Sequence, residues 1–337
     1  MSRPARCGTE VVDAVLWPGT AAGWGEGMAR IITVRGEIDP GELGVTYAHE
    51  HLFGGPPAWS EDSRDADLRL DSFEAAVHEL GLFRLAGGQT IVEMSTPDYG
   101  RRPDLLYELS ARAGVHIIMA TGLHKHAYSH PLTARTGVQE LAEGFARDVQ
   151  FGVEGVEGVR VRAGVIKAAT SLNTITPGEE KVLRAAARAH LVTGAPISTH
   201  TQAGTMGFEQ IAILREEGVD PSRIAIGHVD RRLDYGYHRE MLQSGVYLIY
   251  DQIGKEKYAP DRERIAMLIR LVSEGYGHRL MLAGDFGRAS YWTSHGGGPG
   301  FTYIMWRFVP WLISEGLPAS AARDLLVHNP ARFFAVG

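Results

Sequence analysis

From Val45 onward the chain repeats one unit, a short apolar run rich in β-branched residues followed by a longer amphipathic stretch. The apolar runs are Val45–Ala48, Gln89–Glu93, His116–Ala120, Ala163–Ile166, Pro196–Thr199, Ile224–Gly227, Val246–Tyr250 and Leu280–Gly284. Their brevity and β-branched content read as strands. Between them Ser72–Leu85, Arg102–Ala113, Gly137–Phe151, Gly178–Val192, Gly207–Glu217, Tyr235–Gln243 and Pro260–Glu274 read as helices, with Gly or Pro at most junctions. Such alternation leaves two α/β architectures, a (β/α)8 TIM barrel or a doubly wound open sheet. No glycine-rich dinucleotide or phosphate loop follows the first run, which counts against the open sheet.

The residues at the ends of the runs count against it again. His49 and His51 stand two apart in Thr-Tyr-Ala-His-Glu-His. Alternation on a strand puts both imidazoles on one face, where they can share one metal ion. Lys167, His200, His228 and Asp285 each stand at or just past the C-terminal end of a later apolar run. These residues come from strands 1, 4, 5, 6 and 8. An open sheet would spread them along a line, whereas a closed barrel brings them to one mouth. Taken one at a time they have plainer readings. A histidine can be a hydrogen-bonded core or helix-capping residue, Lys167 a snorkelling lysine, and Asp285 an N-cap.

Bulk properties exclude several functions. The 337 residues carry a formal net charge of −6, so nothing attracts the chain as a whole to nucleic acid. No apolar run approaches the roughly 18 residues of a membrane span. Cys7 is the only cysteine, which rules out an internal disulfide and a thiolate metal site. With no secretory signal evident, a cytoplasmic location is expected by default. Residues 1–27 lack periodicity and read as a flexible tail or as an extension upstream of a start at Met28. Residues 28–337 read as one barrel domain.

The ordered set His-x-His, Lys, His, His, Asp resembles the phosphotriesterase family of the amidohydrolase superfamily. Further matching segments are Thr-Ile-Val-Glu-Met-Ser-Thr, Ile-Lys-Ala-Ala-Thr, Thr-His-Thr, Ile-Gly-His-Val-Asp and the terminal Asn-Pro-Ala-Arg-Phe-Phe. The resemblance implies a hydrolase with two divalent metal ions, zinc foremost, with Mn, Co or Fe also suited to these ligands. His49, His51 and Asp285 would bind the more buried ion, and His200 and His228 the more exposed one. Lys167, carboxylated on its ε-nitrogen, would bridge the two. A shared hydroxide would attack the substrate, and Asp285 would shuttle the proton to the leaving group. Asp230 is a candidate for orienting His228 from behind. Members of the family are often dimers, so a homodimer is compatible with the resemblance.

The loops bear on substrate. Lys255 and Lys257 follow strand 7; Arg288 and Tyr291 follow strand 8. Basic and phenolic groups at that mouth suit a phosphate, unless the lysines simply face solvent. Lactones, carboxylic esters and phosphoesters all suit the implied chemistry, but this pair of loops resembles that of family members acting on phosphorylated sugar lactones, so the resemblance implies an anionic lactone of that kind. Phosphoric ester hydrolysis is the alternative. A non-catalytic metal-containing binding protein is the competitor from another class. After strand 3, His124, His126, Tyr128 and His130 form a polar rim or a partly exposed loop, and Tyr128 is a candidate substrate contact. The glycines around Pro299 suggest a lid or a tight turn, with Trp292, Phe301 and Tyr303 either walling the pocket or packing on the barrel.

Overall fold

The computed structural model describes residues 29–337. The expectations for residues 1–27 and for a start at Met28 lie outside the described residues. Eight parallel strands form one sheet: β1 (Thr46–Glu50), β2 (Thr90–Glu93), β3 (His116–Gly122), β4 (Val165–Thr170), β5 (Ile197–Thr201), β6 (Ile224–Gly227), β7 (Tyr247–Tyr250) and β8 (Leu280–Leu282). Each pairs with its sequence neighbour, so the sheet coils in one direction into a (β/α)8 barrel. The strands are buried along almost their whole length, as expected where helices cover the outside and side chains fill the inside.

The last and first strands meet through a different device. The Asp285 amide donates to the His49 carbonyl at 3.1 Å. The fully buried Glu50 carboxylate accepts from the Gly284 amide at 2.5 Å and the Phe286 amide at 2.8 Å. Along this seam a side chain supplies acceptors for backbone donors that would otherwise be buried unpaired.

The outer layer includes α1 (Phe73–Leu85), α2 (Pro103–Ala113), α3 (His126–Thr133), α4 (Val138–Gln150), α5 (Pro177–Thr193), α6 (Gly207–Glu216), α7 (Tyr235–Gln243) and α8 (Asp261–Ser273). Thr176 and Glu179 form a capping box at the start of α5. Glu179 Oε1 also accepts the His126 amide at 2.8 Å, which ties α3 to α5. The last βα unit is closed by helical segments 304–314 and 319–334, which the apolar pattern alone does not delimit. At the opposite end from the strand C-termini, a hairpin of Ile31–Thr33 and Gly36–Ile38 lies beneath the barrel, where the Val34 amide reaches the Ile117 carbonyl.

Candidate active site

All six residues of the expected set converge at the C-terminal mouth. Lys167 and His200 lie within β4 and β5, each one residue beyond where its apolar run ends, because the ladder continues through them. Two glycines make the convergence possible. Gly122 has φ +98°, and a Cβ there would fall 1.9 Å from the Lys167 carbonyl oxygen, so only glycine lets β3 approach β4 at the lysine. A Cβ on Gly227 would sit 2.6 Å from the Thr199 carbonyl oxygen and 3.4 Å from His49 Nδ1. His228 and Asp285 adopt left-handed conformations, with φ 58° and 47°. Such strain in non-glycine residues is commonly stored at functional sites.

The donor atoms form overlapping groups. Those of His49, His51 and Asp285 lie within 4.8 Å of one another, as do those of His49, His228 and Asp251. The His200 and His228 rings are 4.4 Å apart, centre to centre. His49 is fully buried, yet neither of its ring nitrogens has a hydrogen-bond partner, and His200 Nε2 has none either. A buried unpaired donor or acceptor costs about 1–3 kcal/mol. Unpaired imidazole nitrogens converging beside a carboxylate are the donor set a divalent cation requires, so these residues fit a metal centre. Burial lowers the pKa values of His49 and His200 well below the usual range, with neighbouring His228 and Lys167 adding to the effect. Burial, then Lys167, pushes His51 down to about 3. Neutral imidazole is the ligating form.

Lys167 is fully buried and donates one hydrogen bond, to the Met94 carbonyl at 2.9 Å. Burial pushes its ammonium down to about 8, although the carboxylates of Asp285, Glu93, Asp98 and Asp251 pull the other way. Burial would raise the Asp285 carboxyl, but Lys255 and the surrounding histidines hold it well below its ordinary value.

The partners around the set are fixed. His51 Nδ1 pairs with Ser95 Oγ at 2.8 Å, leaving Nε2 3.6 Å from Asp285 Oδ1. Asp251 holds His228 twice, accepting from its amide at 3.0 Å and pairing with its Nδ1 at 2.8 Å. The orienting role expected of Asp230 therefore falls to Asp251. The short turn 229–231 takes Asp230 away to Arg264, at 2.9 Å, whereas the end of β7 lies directly beside His228. Asp230 acts one step further back, accepting from the Gln252 amide at 2.9 Å.

Above the set lies a cavity of about 150 Å³ lined by His51, His200, His228 and Asp285 below and Tyr99, Lys125, Tyr128, Lys255, Tyr258, Arg288 and Tyr291 around. Lys255 is buried; its Nζ reaches Asp285 Oδ2 at 2.9 Å and the Asp285 carbonyl at 2.5 Å. Lys257 does not line the cavity. It is exposed, about 5 Å from the rings of Tyr258 and Tyr291. Tyr128 is buried, with its hydroxyl donating to Asp62 at 2.6 Å. His124 is buried with its ring 4.8 Å from that of His200, whereas His126 and His130 are exposed on α3. Tyr99, Lys125 and Gln252 were not among the expected site residues, and Asp251, considered beside Asp230 in the sequence, carried no assigned role. The strand-7 pair could have been found from its place directly after an apolar run.

The glycine-rich segment is a tight turn. The Gly297, Gly298 and Gly300 amides bond the carbonyls of Trp292, Ser290 and Tyr291. Trp292 and Phe301 pack in the core, and Tyr303 bonds Asp261.

Comparison with known proteins accords with this geometry. The sequence profile of the phosphotriesterase family matches residues 29–334. A lactonase from Listeria monocytogenes of known crystal structure is 38% identical, superposes with a TM-score of 0.86, and the match covers 91% of this chain and 99% of that one. The phosphotriesterase homology protein of Escherichia coli, crystallised with phosphate in its active site, is 36% identical with a TM-score of 0.82, over 87% of this chain and 99% of that one. A phospho-furanose lactonase of Mycoplasmopsis synoviae is 32% identical over 90% of this chain and 91% of its own length. The chain is a hydrolytic enzyme and belongs to the phosphotriesterase family.

Proposed function

We propose that this enzyme is a metal-dependent lactonase acting on anionic lactones, with phosphorylated sugar lactones as the preferred class. The observation that carries the reading is the cavity itself, with His200, whose Nε2 is unpaired, at its floor beside His51, His228 and Asp285, and with Lys125, Lys255 and Arg288 on its wall. Lactonases among the relatives support it.

His49, His51 and Asp285 would hold one cation, and His200 and His228 a second. Lys167, carboxylated on Nζ, would bridge them. Zinc is the metal proposed. Two such cations supply Lewis acidity and lower the pKa of shared water toward neutrality. The rest falls to the protein. Asp285 Oδ2 is held by Lys255 and by Gln252 Nε2, at 3.0 Å, where it can take the proton of the attacking water and pass it to the leaving alkoxide. Water adds to the acyl carbon, the ring C–O bond breaks, and a hydroxy acid results. Arg288 supplies a planar fork for the substrate's anionic group. Tyr128, Tyr291 and Lys257 complete the proposed substrate contacts, Lys257 only from the rim.

Elemental analysis combined with a turnover screen tests this. About two metal ions per chain are expected, with turnover of 5-phosphorylated sugar lactones well above that of plain sugar lactones, acyl lactones and an aryl phosphotriester. Preference for the phosphotriester would replace the lactonase reading with phosphoric ester hydrolysis. Two bound metals without turnover of any of these would favour a binding protein.

A further inference from the structure

Beyond the end of β1, residues 55–70 leave Gly54 and return to it as a strap across the mouth. Its base is closed by paired backbone hydrogen bonds between Gly54 and Leu70, each 2.9 Å. This is the geometry of an Ω-loop. On one side Trp59 Nε1 donates to the Tyr128 carbonyl at 3.0 Å, and Asp62 meets the Tyr128 hydroxyl and the Lys125 ammonium. On the other side Arg288 Nη1 donates to Asp65 at 2.7 Å and to Asp67 at 3.1 Å. Asp67 also accepts from the Ser290 amide at 2.7 Å and its hydroxyl at 2.8 Å, which pins the chain two residues beyond the arginine.

The pattern on the guanidinium is one-sided. Both carboxylates take the same nitrogen, and among the described residues Nε and Nη2 have no acceptor. Arg288 lines the cavity, so its uncommitted donors are the ones left for a ligand. A partly exposed arginine would otherwise sample many rotamers, and that freedom would have to be lost on binding. We propose that Asp67, assisted by Asp65, is a specificity-determining positioning residue that holds the free edge of Arg288 toward the substrate's anionic group. The inference rests on the anionic-lactone reading above. It assigns to the strap what that reading leaves open, namely how a flexible side chain becomes a preformed anion site.

The test measures kcat and KM of the metal-loaded full chain with a 5-phosphorylated sugar lactone and its unphosphorylated counterpart. Wild type, Asp67→Asn, Asp65→Asn, Arg288→Met and the double variant Asp67→Asn/Arg288→Met are compared, with thermal melts to verify folding. Asp67→Asn is expected to raise KM for the phosphorylated substrate about tenfold while kcat moves less than about twofold. Asp65→Asn, on an exposed carboxylate, should act in the same direction about threefold. In the Arg288→Met background Asp67→Asn should add nothing, as required of a residue that acts through Arg288. A fall in KM for the phosphorylated lactone would mean that the carboxylates mask the arginine, and would overturn the inference. Equal changes for both substrates, or full additivity in the double variant, would do the same. A wild type without preference for the phosphorylated lactone would overturn the proposed function and the inference together. A wild-type preference that neither aspartate variant moves would overturn the inference alone.

Discussion

At the scale of single residues, the centre divides into groups that face the reacting space and groups that aim them. Asp251 is an aiming residue: its two bonds to His228 fix both ring and backbone. Asp251→Asn should weaken metal affinity about 10- to 100-fold, measured by competition with a chromogenic chelator. An unchanged affinity would leave His228 without need of its carboxylate. Lys255 and Arg288 are both cationic and both line the cavity, but they are committed differently. Lys255 is bound to Asp285, so Lys255→Met should lower kcat for phosphorylated and plain lactones alike, about 10- to 100-fold, the worth of a charge-assisted hydrogen bond. A rise in KM confined to the phosphorylated lactone would make Lys255 a phosphate ligand instead. The convergence of the six residues proposed to hold metal was legible because each stands at or just past the end of an apolar run. Asp251 against Asp230 was not, because only the turn at 229–231 decides which carboxylate faces the histidine.

At the scale of elements, the eight strands were readable because parallel buried strands are apolar on both faces. Their ends were less so. The run Ala163–Ile166 stops at a lysine, but the observed strand is Val165–Thr170, since ladder bonds do not depend on side-chain polarity. Helix α3 escaped notice for the converse reason. His126–Thr133 has no apolar period and contains Pro131, and its first amide is satisfied by Glu179 from a distant helix. Helix α7 carries a buried histidine with a pH consequence. His238 Nδ1 pairs with the Tyr250 hydroxyl at 2.7 Å, and Nε2 with the carbonyls of Val229 and Arg232. Burial lowers its pKa to about 4, below the value of about 6.5 expected unfolded. The neutral ring's contribution is therefore complete above pH 6.5 and is lost as pH falls toward 4. Between pH 7 and 5 the wild type should lose roughly 2 kcal/mol more than His238→Gln in urea unfolding. Parallel losses would show that another group carries the acid sensitivity.

Over the whole molecule, one hydrophobic core joins barrel and helices, and no described helix is long and apolar enough to cross a membrane. The polar centre is the exception to that core. Ions held there by the native state alone would add about 2.7 kcal/mol at a hundredfold excess over Kd. Chelation should therefore lower both the urea midpoint and Tm, and stoichiometric readdition should restore them. A chelated protein as stable as the loaded one would mean that the buried imidazoles are accommodated without metal.

The seam between β8 and β1 gives the centre a mechanical meaning. A cylinder of eight staves is hooped by ladders of backbone bonds except at one joint, where the Glu50 carboxylate carries the hoop beside a single backbone bond from the Asp285 amide to the His49 carbonyl. His49 and His51 stand on one side of that joint and Asp285 on the other. An ion shared by these three would be a rivet through the joint, so loading the site and locking the cylinder would be one event. The amides of Gly284, Asp285 and Phe286 should then exchange with solvent faster than those of β4 and β5 in the chelated protein, and the difference should shrink once metal is restored.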